Sequence, residues 1–207
     1  MKDLMVVKQP EVWLHYSDMP DQIVMYDAEQ EEGVTDRIYG KPKGLWITPE
    51  YAENNWYDWC VSEDFRKAEL NFIHELSIKP EAKLLRLESV SDIDAFTKEY
   101  AFSAMERIRS FMDDLTILPD TKTKEYVSKR RDGVNWPRLA KKYQGILIPT
   151  YIWERRLSFN GPATDWYYTW DCASGCIWSA DAIEKITLRS EVSAGFVSRP
   201  MAKLSIG

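Results

Sequence analysis

Apolar positions fall in short runs separated by turn residues. Val12-Trp13-Leu14-His15-Tyr16-Ser17 reads as a strand, stopped by Asp18-Met19-Pro20-Asp21. Residues 22–27 fit a second short strand or the start of a helix, and an acidic stretch containing Gly33 forms a loop up to Gly40-Lys41-Pro42. Gly44-Leu45-Trp46-Ile47-Thr48 is a short buried strand entered through a glycine, whose missing Cβ permits a turn or a close approach. A helix-like run over 49–60 then carries Tyr51, Trp56, Tyr57 and Trp59. Residues 71–79 and 82–90 alternate in part and predict extended chain, with Lys79-Pro80-Glu81 as the turn between them.

In the second half, Ser91 followed by Asp92 and Asp94 predicts a capped helix running to about residue 101, and a further helix is expected over 103–115. Residues 119–134 are polar and basic and predict a mobile loop or insertion. Asn135-Trp136-Pro137 opens a short helix with proline in its first turn. A strand at 145–149, a helical turn at 153–157 and a turn at Asn160-Gly161-Pro162 follow. Residues 166–171 predict a strand, 172–175 a turn, 176–178 extended chain, 179–183 one helical turn and 186–188 a last strand before a tail. No repeat is visible, and strands and helices do not alternate as in parallel sheets. The expectation is an α+β fold in one domain over 1–207.

Composition narrows the function classes. The chain has 207 residues, 44% hydrophobic and 29% charged, with formal net charge −6. Its apolar runs are far shorter than the roughly 18 residues of a membrane span, and its first residues are too interrupted for a secretion signal, so a cytoplasmic address without membrane partners is expected. The net charge argues against general nucleic-acid binding, which depends on neutralising phosphates. Bases nevertheless concentrate in 121–142, with Lys129, Arg130 and Arg131 at the centre and Tyr126, Trp136 and Tyr143 interleaved. That run is either a solvated face or a patch for single-stranded nucleic acid. Cys60, Cys172 and Cys176 are an odd set, and with only His15 and His74 beside them they predict buried thiols rather than a zinc site. Nucleotide-binding glycine loops, zinc-protease helices and serine nucleophile elbows are absent from the sequence.

Two stretches carry candidate chemistry. Trp46 and Tyr57, eleven residues apart, are suited to wall a slot for a flat ring, though both would serve equally as core. Trp13-Leu14-His15-Tyr16-Ser17 resembles the His-x-Ser/Thr strand of ADP-ribosyltransferases, including the catalytic domain of poly(ADP-ribose) polymerases. Lys43-Gly44-Leu45-Trp46-Ile47-Thr48 resembles that family's Lys-Gly-Ile-Tyr-Phe-Ala strand, with Trp46 and Tyr57 falling on its two tyrosine positions. Cys176-Ile177-Trp178-Ser179-Ala180-Asp181-Ala182-Ile183 has the outline of its final strand and turn. The resemblance covers about 12–60 and 166–183 and leaves the middle of the chain unmatched.

The resemblance implies split antiparallel sheets around an NAD cleft with flanking helices. NAD is then a substrate, and no metal is required. It implies that His15, with Tyr16 and Ser17, holds the riboses. The strand from Gly44 through Leu45, Trp46 and Thr48 would hold the nicotinamide against Tyr57, and Ser174 would lie at the final strand. The family's catalytic glutamate would fall near Ser174 or Gly175, where there is no carboxylate. Asp171 is the candidate to stabilise the sugar cation, with His15 and Tyr57 beside it and Glu184 in reserve. Asp171 could alternatively cap the turn through Ser174. The implied activity is mono-ADP-ribosyl transfer to a macromolecule, with nucleic acid, RNA included, favoured over protein and held at Lys129, Arg130 and Arg131. Small bacterial and phage toxins of this kind imply a toxin or phage-defence role and an antitoxin partner. The alternatives are a catalytically silent NAD- or nucleic-acid-binding module on the same fold, and a partner-binding protein whose tryptophans are only core.

Overall fold

The computed structural model describes residues 11–20, 41–102, 133–157 and 164–191. The readings for 22–27, 103–115, the basic loop with Lys129, Arg130 and Arg131, the turn at 160–162 and the tail lie outside those residues.

The described chain is mixed α+β, built on one sheet. Its strands are β1 (Trp13–Ser17), β2 (Leu45–Pro49), β3 (Phe72–Ile78), β4 (Leu84–Arg86), β7 (Gly145–Ile148), β8 (Ser174–Ile177) and β9 (Ile183–Glu191), in the order β4-β7-β8-β2-β1-β3-β9. Only β4 and β7 run parallel; the other neighbours are antiparallel. A separate ribbon pairs β5 (Ala101–Phe102) with β6 (Gly133–Val134).

Alternation along the central strands builds two cores. Ile146, Ile148 and Cys176 face a large cluster with Phe96, Trp136, Trp166 and Trp170. Leu147, Ile177, Leu45 and Ile47 face a smaller one with Trp13 and Leu76. With both faces covered, every residue of β7 and β8 is buried, as strands buried on both sides must be apolar throughout. β9 is the exposed edge, and Glu184, Lys185 and Arg189 make it a poor template for another strand.

The helices lie over the large cluster. α2 (Val90–Tyr100) buries Ile93, Phe96, Thr97 and Tyr100, the spacing that puts side chains on one face. Its cap is Ser89, two residues before the serine expected from sequence. The Ser89 hydroxyl accepts from Asp92 N and donates to Asp92 Oδ2, while Ser91 Oγ bonds only to Ser89 Oγ. α3 (Trp136–Ala140) is capped by Asn135 with Pro137 in its first turn, as expected. α4 (Trp153–Arg156) is tied to α2 by Arg155, which donates twice to Asp94 at 2.6 Å.

Three expectations are corrected. Residues 166–171 are not a strand: Asp165–Thr169 is a 3₁₀ helix, with Tyr167 N donating to Thr164 O and Trp170 N to Tyr167 O, both at 2.8 Å. The helix-like run over 49–60 divides. Pro49 ends β2, and α1 (Trp56–Ser62) begins only where Asn55 caps it through Asp58 N. The predicted turn at 172–175 is half strand, since β8 starts at Ser174.

Candidate active site

The two motif strands meet at a short seam. β1 pairs with β3 along its whole length, but with β2 only at Trp13↔Pro49 and Leu14↔Thr48. Beyond Leu14 the two strands share no further ladder pair, and a side chain bridges them instead: His15 Nδ1 lies 2.8 Å from Trp46 O. A carbonyl only accepts, so Nδ1 carries the proton and Nε2 of the neutral ring carries the lone pair. Burial pulls the His15 pKa below 6.5, with His74 pushing the same way and the Trp46 bond opposing. At neutral pH Nε2 is therefore an acceptor.

His74 sits opposite His15 on β3, with ring centroids 6.0 Å apart. It has the other tautomer: Nε2 donates to Pro20 O at 2.9 Å, and Nδ1 is buried without a partner.

The Trp46 carbonyl meets His15, and the Trp46 ring, turned to the larger core, leads to the candidate carboxylate. The ring packs at 4.9 Å on Trp170, and Lys41 Nζ lies over it, 5.2 Å from the ring centroid. The same ammonium is 3.6 Å from Asp171 Oδ2. Asp171 is partly shielded, at 28% side-chain exposure. An aromatic face and a carboxylate thus converge on one point and favour positive charge there. The carboxylate is held by a clip from β2. Thr48 Oγ1 donates to Ala173 O at 2.7 Å and accepts from Trp56 N at 2.9 Å, and Ala173 N donates to Asn54 O at 2.8 Å. Thr48 is buried and links β2, α1 and the segment after Asp171. The sequence placed Thr48 among NAD contacts; its hydroxyl already has fold partners on both sides.

The other expected residues divide. Tyr57, on α1, packs against Tyr16 at 5.8 Å, so the α1 ring meets β1. Ser17 is buried and donates to Met19 O at 2.7 Å. Leu45 is buried in the smaller core. Gly44 has φ 151°, and a Cβ there would strike Ile177 O and lie 2.8 Å from Cys176 Sγ. Its glycine is required by the approach of β8, a packing reason where the sequence allowed a ligand.

The family's glutamate position is closed. A Cβ at Gly175 would be 2.6 Å from Leu147 Cδ2 and 2.9 Å from Ile146 O, and Ser174 is buried with its hydroxyl on Cys172 O. Glu184 is exposed on β9, separated from β2 in the sheet by β1 and β3. Asp171 is the carboxylate at Trp46.

Cys60, Cys172 and Cys176 are free and buried, and burial pushes the Cys172 thiol up to about 12, which makes it a poor nucleophile. Among the described residues no group of three His, Cys, Asp or Glu could hold a metal ion, and no helix is long and apolar enough to cross a membrane. A depression of about 390 Å³ lies elsewhere. Lys79, Lys83, Lys141 and Lys142 line it, with Glu81 and Asp181 among them, at the end of β7 and β8 remote from Asp171.

Sequence reasoning missed Lys41, which opens the Lys41-Pro42-Lys43-Gly44 entry to the motif strand. Trp46 and Trp170 belong to two tryptophan clusters that the sequence allowed either to line one cleft or to fill one core, and they meet in the larger core. Compared with known family models, curated proteins and solved structures, the chain matches none.

Proposed function

We propose that the chain is an ADP-ribosyltransferase that takes NAD as substrate and transfers ADP-ribose to a macromolecular acceptor, nucleic acid ahead of protein. The observation that carries this reading is the seam. The strand with His15 and the strand with Trp46 lie side by side, bridged by His15 Nδ1 and Trp46 O at 2.8 Å, with Asp171 tied to Trp46 through Lys41. The order and spacing that suggested the family in sequence therefore correspond to neighbours in space. Tyr57 beside Tyr16 agrees with this, since the second aromatic of the motif then lies against the strand that carries His15.

The chemistry follows from those groups. The bond from the nicotinamide nitrogen to ribose C1′ breaks, and nicotinamide leaves neutral with the electron pair. Positive charge develops on the sugar, as in glycoside cleavage, and a nearby carboxylate lowers its energy. Asp171 supplies that charge. His15 accepts a ribose hydroxyl at Nε2 and so orients the sugar. The acceptor's nucleophile bonds to C1′ and gives up its proton. A cytoplasmic toxin or phage-defence role, with an antitoxin as partner, belongs to the same reading.

A second reading is the silent binding module, favoured by one observation: the Asp171 carboxylate already has a cation beside it. Incubation with labelled NAD and separate RNA, DNA and protein pools decides between the two. Label on one pool, lost in Asp171→Ala and in His15→Ala, is expected. Saturable NAD binding without label in any pool leaves the binding module, and absence of both binding and label removes the family reading.

A further inference from the structure

The positive charge at the candidate site belongs to the protein itself. Lys41 Nζ lies 5.2 Å from the centroid of the Trp46 ring and 3.6 Å from Asp171 Oδ2. Trp170 stands against Trp46 at 4.9 Å with its ring tilted by 57°. The lysine side chain is 37% exposed, while neighbouring Pro42 is buried with its carbonyl 3.8 Å from Cys176 Sγ. The backbone at this point is anchored, and the side chain has room to leave. A ring quadrupole and a carboxylate that attract an ammonium from two directions attract any monocation of suitable shape.

We propose that the Trp46 ring, backed by the buried Trp170, and Asp171 form a slot for a flat organic monocation of the N-alkylpyridinium class, and that Lys41 is its resident occupant, displaced when such a ligand binds. The Trp46 face selects the ligand, since an indole favours a planar π-system over a compact ion. A single carboxylate matches a single charge. The inference rests on the transferase reading only in naming the pyridinium ring of NAD as the natural ligand. Lys41 then reduces apparent affinity by the fraction of time it fills the slot. It also favours product release, because nicotinamide leaves without charge and competes poorly with an ammonium for the same carboxylate.

The test is calorimetric titration with N-methylnicotinamide, a pyridinium cation lacking the ribose and phosphates. Wild type, Lys41→Met, Lys41→Arg and the double variant Lys41→Met/Asp171→Asn are compared, with urea midpoints confirming that each is folded. Lys41→Met keeps the aliphatic stem and is expected to bind about tenfold tighter than wild type, a difference of about 1.4 kcal/mol. Lys41→Arg should bind like wild type, and the double variant should lose the gain. Equal or weaker binding by Lys41→Met, or an undiminished gain in the double variant, overturns the proposal. NAD titrated in parallel separates the two readings. Probe binding as stated, with no NAD binding or transfer, leaves the slot standing without the transferase. NAD transfer with probe binding indifferent to Lys41 leaves the transferase without the slot.

Discussion

The two halves of the sheet are built differently. In the half formed by β4, β7, β8 and β2, the central strands β7 and β8 are buried at every residue and sandwiched between the two cores. In the half formed by β1, β3 and β9, burial alternates or is absent, and two histidines face each other across a pair. Buried polar side chains of the first half bond close by within it, as Thr48 does to Ala173 O and Ser174 to Cys172 O. The second carries polar groups whose bonds reach out of the strands, to Trp46 O and Pro20 O. The halves join through two ladder pairs, and beside them His15 reaches Trp46 O from the face of the smaller core, while the Trp46 ring turns to the larger core with Trp170, toward Lys41 and Asp171. The packed half supplies Trp46 and Asp171, and the half with looser burial supplies His15.

The packed half is tested most severely at Gly44. Gly44→Ala demands a Cβ at φ 151° in contact with the backbone carbonyl of Ile177. Backbone atoms cannot rotate aside as a side chain would. A loss of about 3 kcal/mol or more is expected, from strain and steric overlap together, read as a lowered urea midpoint. A midpoint within error of wild type would show that β2 is not held against β8 as described.

At the seam the largest effect should be on activity. Asp171→Asn keeps shape and removes charge, and a loss of about 100-fold or more in ADP-ribosyl transfer is expected for an electrostatic group at the reacting centre. Its stability cost should stay below about 1 kcal/mol, because the pair with Lys41 is partly exposed. Transfer unchanged with stability lowered would reverse the assignment and make Asp171 structural.

Thr48→Val separates positioning from chemistry. It leaves Ala173 O and Trp56 N without their shared hydroxyl inside the protein. A destabilisation of about 1–3 kcal/mol is expected for buried groups left unpaired. Transfer should fall less than in Asp171→Asn, since the carboxylate remains but is held less firmly. A fall as large as that of Asp171→Asn would mean that Thr48 itself meets the substrate.

What the sequence made legible follows the same division. β1, β2 and β7 were read from local apolar runs, and α3 from Asn135 and Pro137, because strand density and capping are written in a few adjacent residues. The aromatic stretch at 166–170 was misread, because its conformation depends on distant partners. Trp166 Nε1 donates to Thr97 Oγ1, 69 residues away, and the Tyr167 hydroxyl accepts from Ile152 N, 15 residues away. Strand propensity in aromatics reflects packing on a pleated surface and yields when another surface is on offer. Spacing singled out His15, Trp46 and Tyr57 as a candidate site, and the fold sets His15 on the Trp46 carbonyl, Tyr57 on Tyr16 and the Trp46 ring on Trp170. Lys41 was not singled out, because its ammonium is located by Asp171, which only the fold brings near. The joining of the halves into one sheet rests on Trp13↔Pro49 and Leu14↔Thr48, pairings no local pattern announces.

The smallest expected effect is the one that sharpens the contrast between the two histidines. Burial holds the His15 pKa below 6.5 in the folded protein. The unfolded chain therefore binds its proton more readily, so the stability that neutral His15 contributes is complete above pH 6.5 and declines as pH falls below it. His15→Asn has no such proton to bind. Urea midpoints of the two proteins at pH 7.5 and pH 5.0 should show the wild-type advantage narrowing at the lower pH, by no more than about 1 kcal/mol. An advantage that stays constant between the two pH values would mean that the bond from Nδ1 to Trp46 O, which opposes the effect of burial, compensates it fully. The seam would then be held by that bond in both charge states, and His15 would join the packed half in character as a fixed structural bridge.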